Sequence, residues 1–223
     1  QTKKSEPESE SLLGAVVELT YALGDLGTDG AAKAVTAVVS NTDPRVRLAA
    51  TEALTTLGAT SAVPALISAA KSGELEAQRA ALIAASQLGG GDDLTSFDAL
   101  GEGELEPIVA AERVRLLAAK ECTSNAVCWE KKLKSDDPRV SARAAYELGR
   151  IEAKTAAPAL LEAAEHESPQ VRMGAVLSLE ALDAVDVKRF ESILKDSTKR
   201  VEYQPVNQQM TRIIALASHT GGS

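Results

Sequence analysis

The chain has almost no aromatic side chains: they fill 3% of its 223 positions, and Trp129 is the single tryptophan. It has two histidines, His166 and His219, and two cysteines, Cys122 and Cys128. Each scarcity excludes something. A core with so few rings has to be laid down in thin layers of Ala, Leu, Val and Ile. One histidine expected in a turn before Ser168-Pro169 and one in the terminal tail assemble no nucleophile–His–acid set. Two cysteines without suitably spaced histidines make a poor metal site, and a C-x-x-C pair is absent. No run approaches the ~20 apolar residues of a membrane-spanning helix. No strand pattern leads into a glycine-rich loop, so Gly89-Gly90-Gly91 reads as a helix terminator rather than a phosphate cradle. The D-x-D-x-D-G spacing of a calcium loop is missing. Basic charge is also short. Residues 1–111 carry 16 acidic and 7 basic groups, and residues 112–223 carry 16 and 17. Neither half offers the basic face that nucleic acid needs.

What is present is repetition. Residues 43–73, DPRVRLAATEALTTLGATSAVPALISAAKSG, read as a helix, a turn and a second helix. Asp43 is an N-cap and Pro44 takes the first helical position, where a missing N–H costs nothing. Val46, Ala49, Ala50, Ala53, Leu54 and Leu57 recur at the spacings of an amphipathic helix, and Gly58 closes it. Ser61 and Pro64 open the second helix, with Val63, Leu66, Ile67 and Ala70 on its apolar side, and Gly73 ends it. Two such helices cannot bury both stripes alone. Translation by about 31 residues finds the neighbours: Pro107, Pro138 and Pro169 fall in register with Pro44, and Val109, Val140 and Val171 with Val46. Units start near 12, 43, 74, 106, 137, 168 and 199. Self-similarity at this period marks a stack of repeats in which each unit contacts only its neighbours.

DPRVRLAATEALTTLG with SAVPALISAA, DDPRVSARAAYELG with TAAPALLEAA, and SPQVRMGAVLSLEAL resemble HEAT repeats of the short phycobilisome-lyase-like type. The tetratricopeptide pattern and the T-P-L-H of ankyrin are absent. The resemblance implies an all-α, right-handed α-solenoid superhelix of about seven helix pairs, the last incomplete, over residues 12–218. It also implies a non-catalytic scaffold that binds protein or peptide and needs no cofactor. A bilin (tetrapyrrole) lyase-like or chaperone-like role stays open as an alternative. Deoxyhypusine hydroxylase is built from similar repeats, but its iron site takes several His-Glu pairs, and this chain has only His166-Glu167. In related repeats the arginine at Arg47 and Arg172 reaches acidic or capping groups of an adjacent unit.

Residues 1–11, QTKKSEPESES, are polar and aperiodic and read as a disordered tether, suited to a linker or to the segment behind an N-terminal lipid anchor. Residues 219–223 read as a disordered tail. The third unit degenerates after Gly91 into a loop with Asp92, Asp93, Asp98, Glu102, Glu104 and Glu106 and no basic residue. It is either a solvated acidic rim or a docking point for a basic partner, although Leu94, Phe97 and Leu100 still suit a short helix. In the fourth unit Cys122 follows the first helix and Cys128 begins the second, a comfortable span for a disulfide that staples a turn lacking its capping glycine. Paired cysteines favour an extracytoplasmic compartment, periplasmic or secreted; two free thiols in the cytoplasm are the alternative. The seventh unit keeps only a first helix, with Met210, Ile213, Ile214 and Ala217 inward and Gln204, Gln208, Gln209 and Thr211 outward.

The expected binding surface is a concave face lined by the first helices. Positions 52 and 48 point away from the core stripe. Translated, they give Tyr21, Glu52, Ile83, Arg115, Tyr146 and Leu177, and Val17, Leu48, Arg79, Ala111, Ala142 and Met173. A row that met only water would hold Lys, Glu and Gln; this one holds the side chains of interface centres. Tyr21, Arg79, Arg115, Tyr146 and Met173 are the expected contacts of an extended peptide or helix.

Overall fold

Helices begin where the capping residues stand. Asp43 accepts from the Arg45 N–H (2.9 Å) and Asp137 from the Arg139 N–H (2.9 Å), each with proline next in line. Ser168 precedes Pro169 in the same way, without a side-chain cap bond. A computed structural model describes residues 6–220, and side chains from Glu10 to Ala217. Among the described residues there are α-helices, short 3-10 turns and no strand. The first helices of successive units are α1 (Glu6–Asp25), α3 (Pro44–Thr56), α5 (Leu75–Leu88), α7 (Glu106–Cys122), α9 (Pro138–Arg150), α11 (Pro169–Ala181) and α13 (Gln204–Thr220). The second helices are α2 (Asp29–Thr36), α4 (Val63–Ala69), α6 (Leu94–Asp98), α8 (Ala126–Lys132), α10 (Ala157–Ala163) and α12 (Val187–Ser197). The degenerate third unit thus keeps a five-residue helix, because Leu94, Phe97 and Leu100 are all buried.

A left-handed residue ends several first helices. Gly27 (φ 64°) and Gly58 (φ 62°) hold that position early in the chain, and Thr123 (φ 47°), Glu152 (φ 55°) and Asp183 (φ 53°) hold it later. The second helices then lie against the first helix of the following unit: α2 on α3, α4 on α5, α8 on α9, α10 on α11 and α12 on α13. First helices also pack on each other, α1 on α3, α3 on α5, α9 on α11 and α11 on α13. Small residues permit this approach. A Cβ on Gly24 would sit 3.0 Å from that of Ala53, and one on Gly149 would sit 2.3 Å from Ser178 Oγ. Ser178 Oγ donates to the Ala145 carbonyl across the same contact (2.7 Å).

The chain forms two compact parts, one up to Lys120 and one from Glu121 on. In the first, a continuous core runs from Val35 and Val39 through Leu54, Leu66, Leu82 and Phe97 to Leu116. In the second, Trp129, Leu148, Leu160, Leu179, Phe190, Tyr203 and Met210 are fully buried. Each fully buried Leu or Phe contributes about 1.5–3 kcal/mol of transfer free energy. Tyr203 meets two cations, with the guanidinium of Arg172 4.0 Å and that of Arg200 4.5 Å from the ring centre, and its hydroxyl donates to the Glu167 carbonyl (2.8 Å).

Two differences from the sequence reading have physical causes. Helix α1 starts at Glu6, inside the stretch expected to be a tether; residues 1–5 lie outside the described residues. Glutamates in a first turn complement the helix dipole, and Glu10 is anchored to Arg45 Nη1 at 3.0 Å. At the other end α13 continues to Thr220, and the remainder of the expected tail lies outside the described residues. Second, α7 is 17 residues long where α3 has 13. Its left-handed residue, Thr123, falls two positions later than Gly58 translated by the same offset that carries Pro44 to Pro107. Buried Arg115, Leu116, Ala118 and Ala119 repeat the spacing of buried Ala144, Ala145, Glu147 and Leu148 in α9. The equivalent of Tyr146 is therefore Leu117, not Arg115.

Candidate functional site

Helices α1, α3, α5 and α7 carry the expected row in the first part of the chain. Tyr21 is 39% exposed, and its hydroxyl donates to Glu52 Oε2 (2.8 Å). That hydrogen bond, then burial and the charges of Glu52 and Glu18, push the phenol up to about 12. Val17, Leu48, Ile83 and Ala111 are half-buried, and Arg79 and Glu52 are exposed. Arg115 does not join them. It is 4% exposed, and its Nε donates to Glu112 (2.8 Å), whose Oε2 also accepts from Ser86 Oγ (2.9 Å). The register shift in α7 brings Leu117, 40% exposed, to that place. Reasoning from a fixed period missed Leu117; the signal for it was the absence of a glycine two periods after Gly58.

In the second part of the chain α9 and α11 carry Tyr146, Met173 and Leu177, all half-buried, and Ala142, which is buried. Burial, followed by the charge of Glu147, raises the Tyr146 phenol. Glu147 is itself buried and binds Arg143 and Arg150, each at 2.7 Å. Glu180 on α11 receives Arg212 (2.9 Å) and Gln209 (3.1 Å) from α13. Gln209 thus braces the terminal helix instead of facing water alone, while Gln204, Gln208 and Thr211 are exposed as expected. Met210 and Ile213 are buried on the inner side and Ile214 and Ala217 are half-buried.

The acidic stretch divides in two. Asp93 accepts from the Gly90 N–H (2.8 Å) and Asp98 from Arg113 Nε (2.8 Å), so both serve the local structure. Asp92, Glu102, Glu104 and Glu106 are exposed. Glu102 and Glu104 edge an open groove of about 430 Å3 whose floor includes Ala70, Leu75, Leu100 and Leu105. No group of three or more His, Cys, Asp or Glu side chains able to hold a metal occurs among the described residues. His166 is spent on its turn: Nδ1 accepts from the Ser168 N–H (3.0 Å) and its carbonyl accepts from Arg172. Arg47 similarly donates to the Ala69 carbonyl (2.9 Å) and to that of Ser72. Both arginines therefore clasp the carbonyl end of a second helix, a structural role: Arg172 that of the preceding unit, as expected, but Arg47 that of its own unit rather than an adjacent one.

Cys122 and Cys128 form a disulfide with their Cα atoms 5.3 Å apart. It encloses Thr123, the residue in the left-handed turn, whose carbonyl accepts from Trp129 Nε1 (2.8 Å). No described helix is long and apolar enough to cross a membrane.

A search among curated proteins finds no significant match. The family model for HEAT repeats matches residues 17–87, 33–118 and 129–204, stretches that hold the stacked first and second helices described above. With most of its length matched and its helices so arranged, the chain belongs to the HEAT-repeat family and has an α-solenoid fold.

Proposed function

We propose that the chain is a non-catalytic scaffold that binds an extended or helical peptide along the face of its first helices. The observation that supports this is the accessibility of Tyr21, Glu52 and Leu117 in a row that inter-repeat packing leaves open. Aromatic and aliphatic side chains at the centre of such a row, rimmed by Glu18, Glu52 and Arg79, match the anatomy of protein interfaces. The acidic balance around Tyr21 favours a ligand with basic residues. In the second part of the chain, Tyr146, Met173 and Leu177 offer the same chemistry. The phycobilisome-lyase-like character of the repeats is part of this reading: the D-P-x-V-R starts at 43–47 and the short second helices support it.

The disulfide supports an extracytoplasmic setting, where such bonds form and persist.

Selection from a displayed random-peptide library against the whole protein tests the binding surface. Selected peptides are expected to lose at least tenfold in affinity with Tyr21→Ala or Leu117→Ser, without a marked fall in Tm. Arg115→Ala is not a clean probe, because it removes a buried side chain and leaves half-buried Glu112 without its ion partner. Peptides that bind both variants unchanged would place the interface elsewhere, first of all at the groove beside Glu102 and Glu104.

A further inference from the structure

The second unit shows what the groove of the third lacks. The Arg47 side chain crosses from α3 to the turn after α4, where its guanidinium donates to the carbonyls of Ala69 and Ser72. Gly73 leaves the room for it: a Cβ there would stand 1.8 Å from Arg47 Nη1. Translation by 31 residues keeps the register into the third unit, because buried Ala50, Leu66 and Ala69 become buried Ala81, Phe97 and Leu100. The same step carries Arg47 to Gln78, and residues 69–73 to residues 100–104. The arginine that spans this gap in the second unit is therefore missing from the third.

The open groove of about 430 Å3 stands in its place, and Gln78 lines it together with Leu100, Glu102 and Glu104. Leu75 and Leu105 add to its apolar lining, and all of these residues belong to the first compact part. Where the second unit has Gly73, the third has the carboxylate of Glu104, with Glu102 two positions before it and both exposed. Neither forms an ion pair among the described residues, and Arg113 on α7 is taken by Asp98 (2.8 Å). Lys71 also lines the groove, but from Glu74 to Glu106 Arg79 is the only basic residue against eight acidic ones. The field at the groove is negative, and a cation lowers its energy there.

We infer that the groove takes an arginine side chain of another protein, presented in an extended segment beside an aliphatic residue. The stem of the arginine covers Leu75, Leu100 and Leu105, and its planar fork of donors reaches the carboxylates of Glu102 and Glu104. The incoming side chain supplies in trans what Arg47 supplies from within the second unit. Tyr21, Glu52 and Leu117 do not line this groove, so it is a surface separate from the row of first helices.

The probe is a capped fluorescent heptapeptide with leucine-arginine-leucine at its centre and glycine and serine elsewhere, plus a counterpart in which neutral citrulline replaces the arginine. Binding to the whole protein at low salt is read by anisotropy, and its place by the amide shifts of Gly101 and Gly103. The arginine peptide is expected to bind at least tenfold more tightly than the citrulline peptide. Glu102→Gln/Glu104→Gln should erase that difference at unchanged Tm. Gln78→Arg, which places a guanidinium in the groove from within, should weaken the arginine peptide at least tenfold. Tyr21→Ala and Leu117→Ser should bind it normally, so the groove and the first-helix row fail separately. Equal affinity for the two peptides, no binding of the arginine peptide, or full binding by the Glu102→Gln/Glu104→Gln or the Gln78→Arg variant overturns the proposal. Loss of binding with Tyr21→Ala would place the peptide on the first-helix row and overturn it too. Free arginine that binds as tightly as the peptide, or a wild-type dimer in sedimentation that Gln78→Arg dissolves, would make a small molecule or a second copy the occupant, with the same result.

Discussion

Tyr21 and Glu52 stand 31 residues apart, one repeat, and share a hydrogen bond of 2.8 Å across the α1–α3 contact. The phenol is the donor, so the bond exists only while Tyr21 is protonated. Its pKa in the fold is pushed from 10.0 up to about 12. A raised pKa means that the stabilising contribution is complete below pH ~10 and is lost as pH rises towards the folded value. Ultraviolet titration of tyrosinate, taken as the difference between wild type and Tyr21→Phe, is expected to show Tyr21 ionising well above the ordinary tyrosine value. Glu52→Gln should bring its midpoint back down towards 10.0. A Tyr21 midpoint unchanged by Glu52→Gln would mean that the pair does not form in solution.

Two glycines inside first helices should respond to alanine with opposite signs. A Cβ on Gly149 would lie 2.3 Å from Ser178 Oγ and 2.9 Å from its Cα, so the side chain cannot simply turn away. Gly149→Ala is expected to lose about 1–3 kcal/mol in denaturant unfolding. Gly14, with nothing within 4 Å of a built Cβ, lies in the interior of α1. Gly14→Ala should gain about 0.5–1 kcal/mol from helix propensity alone.

The left-handed caps give a second pair of opposite signs. Glu152 and Asp183 occupy φ near +55° without the freedom of glycine. Replacing either by glycine should raise stability by about 0.5–1 kcal/mol, the relief of αL strain less the added freedom of the unfolded chain. Gly27 sits at φ 64° with open space around it, so Gly27→Ala isolates the backbone cost and should lose about 1 kcal/mol. Thermal unfolding of the three single variants tests the set.

The Cys122–Cys128 bond closes a short loop, and on the chain-entropy model it contributes about 2–3 kcal/mol. Reduction should loosen the Thr123 turn and raise amide exchange in α8, while α3 and α11 keep their protection. Freshly isolated protein should show no titratable thiol. Two thiols in the non-reduced native protein would remove the support for an oxidising compartment.

The capping chemistry made the helix starts legible: Asp43, Asp137 and Ser168 each precede a proline, and α3, α9 and α11 begin there. The cysteine pair was legible because the missing glycine and the six-residue spacing pointed to the same turn. The binding row was legible only while the period held. In α7 two added residues rotate the helix, Arg115 turns into the core beside Glu112, and Leu117 takes the outer place. A fixed translation cannot detect this, since Arg is as acceptable on an interface row as in a buried pair. The start of α1 within QTKKSEPESES was hidden by composition, because local helix-dipole effects and the Glu10–Arg45 pair decide it.

The packing of α4 on α5, and of α10 on α11, changes where this chain can be cut. A fragment ending at Gly73 separates Leu66, Ile67 and Ala70 from the helix that shields them, although Arg47 would still hold the end of α4. A fragment cut at the left-handed turn after Leu57 keeps α4 with α5 and exposes mainly a first helix already built to accept a neighbour. Repeat deletions or insertions should therefore be joined at Gly58, Glu152 and Asp183, not at the prolines that open each sequence repeat. The unit of inheritance read along the chain and the unit of mechanical integrity in space are offset by half a repeat.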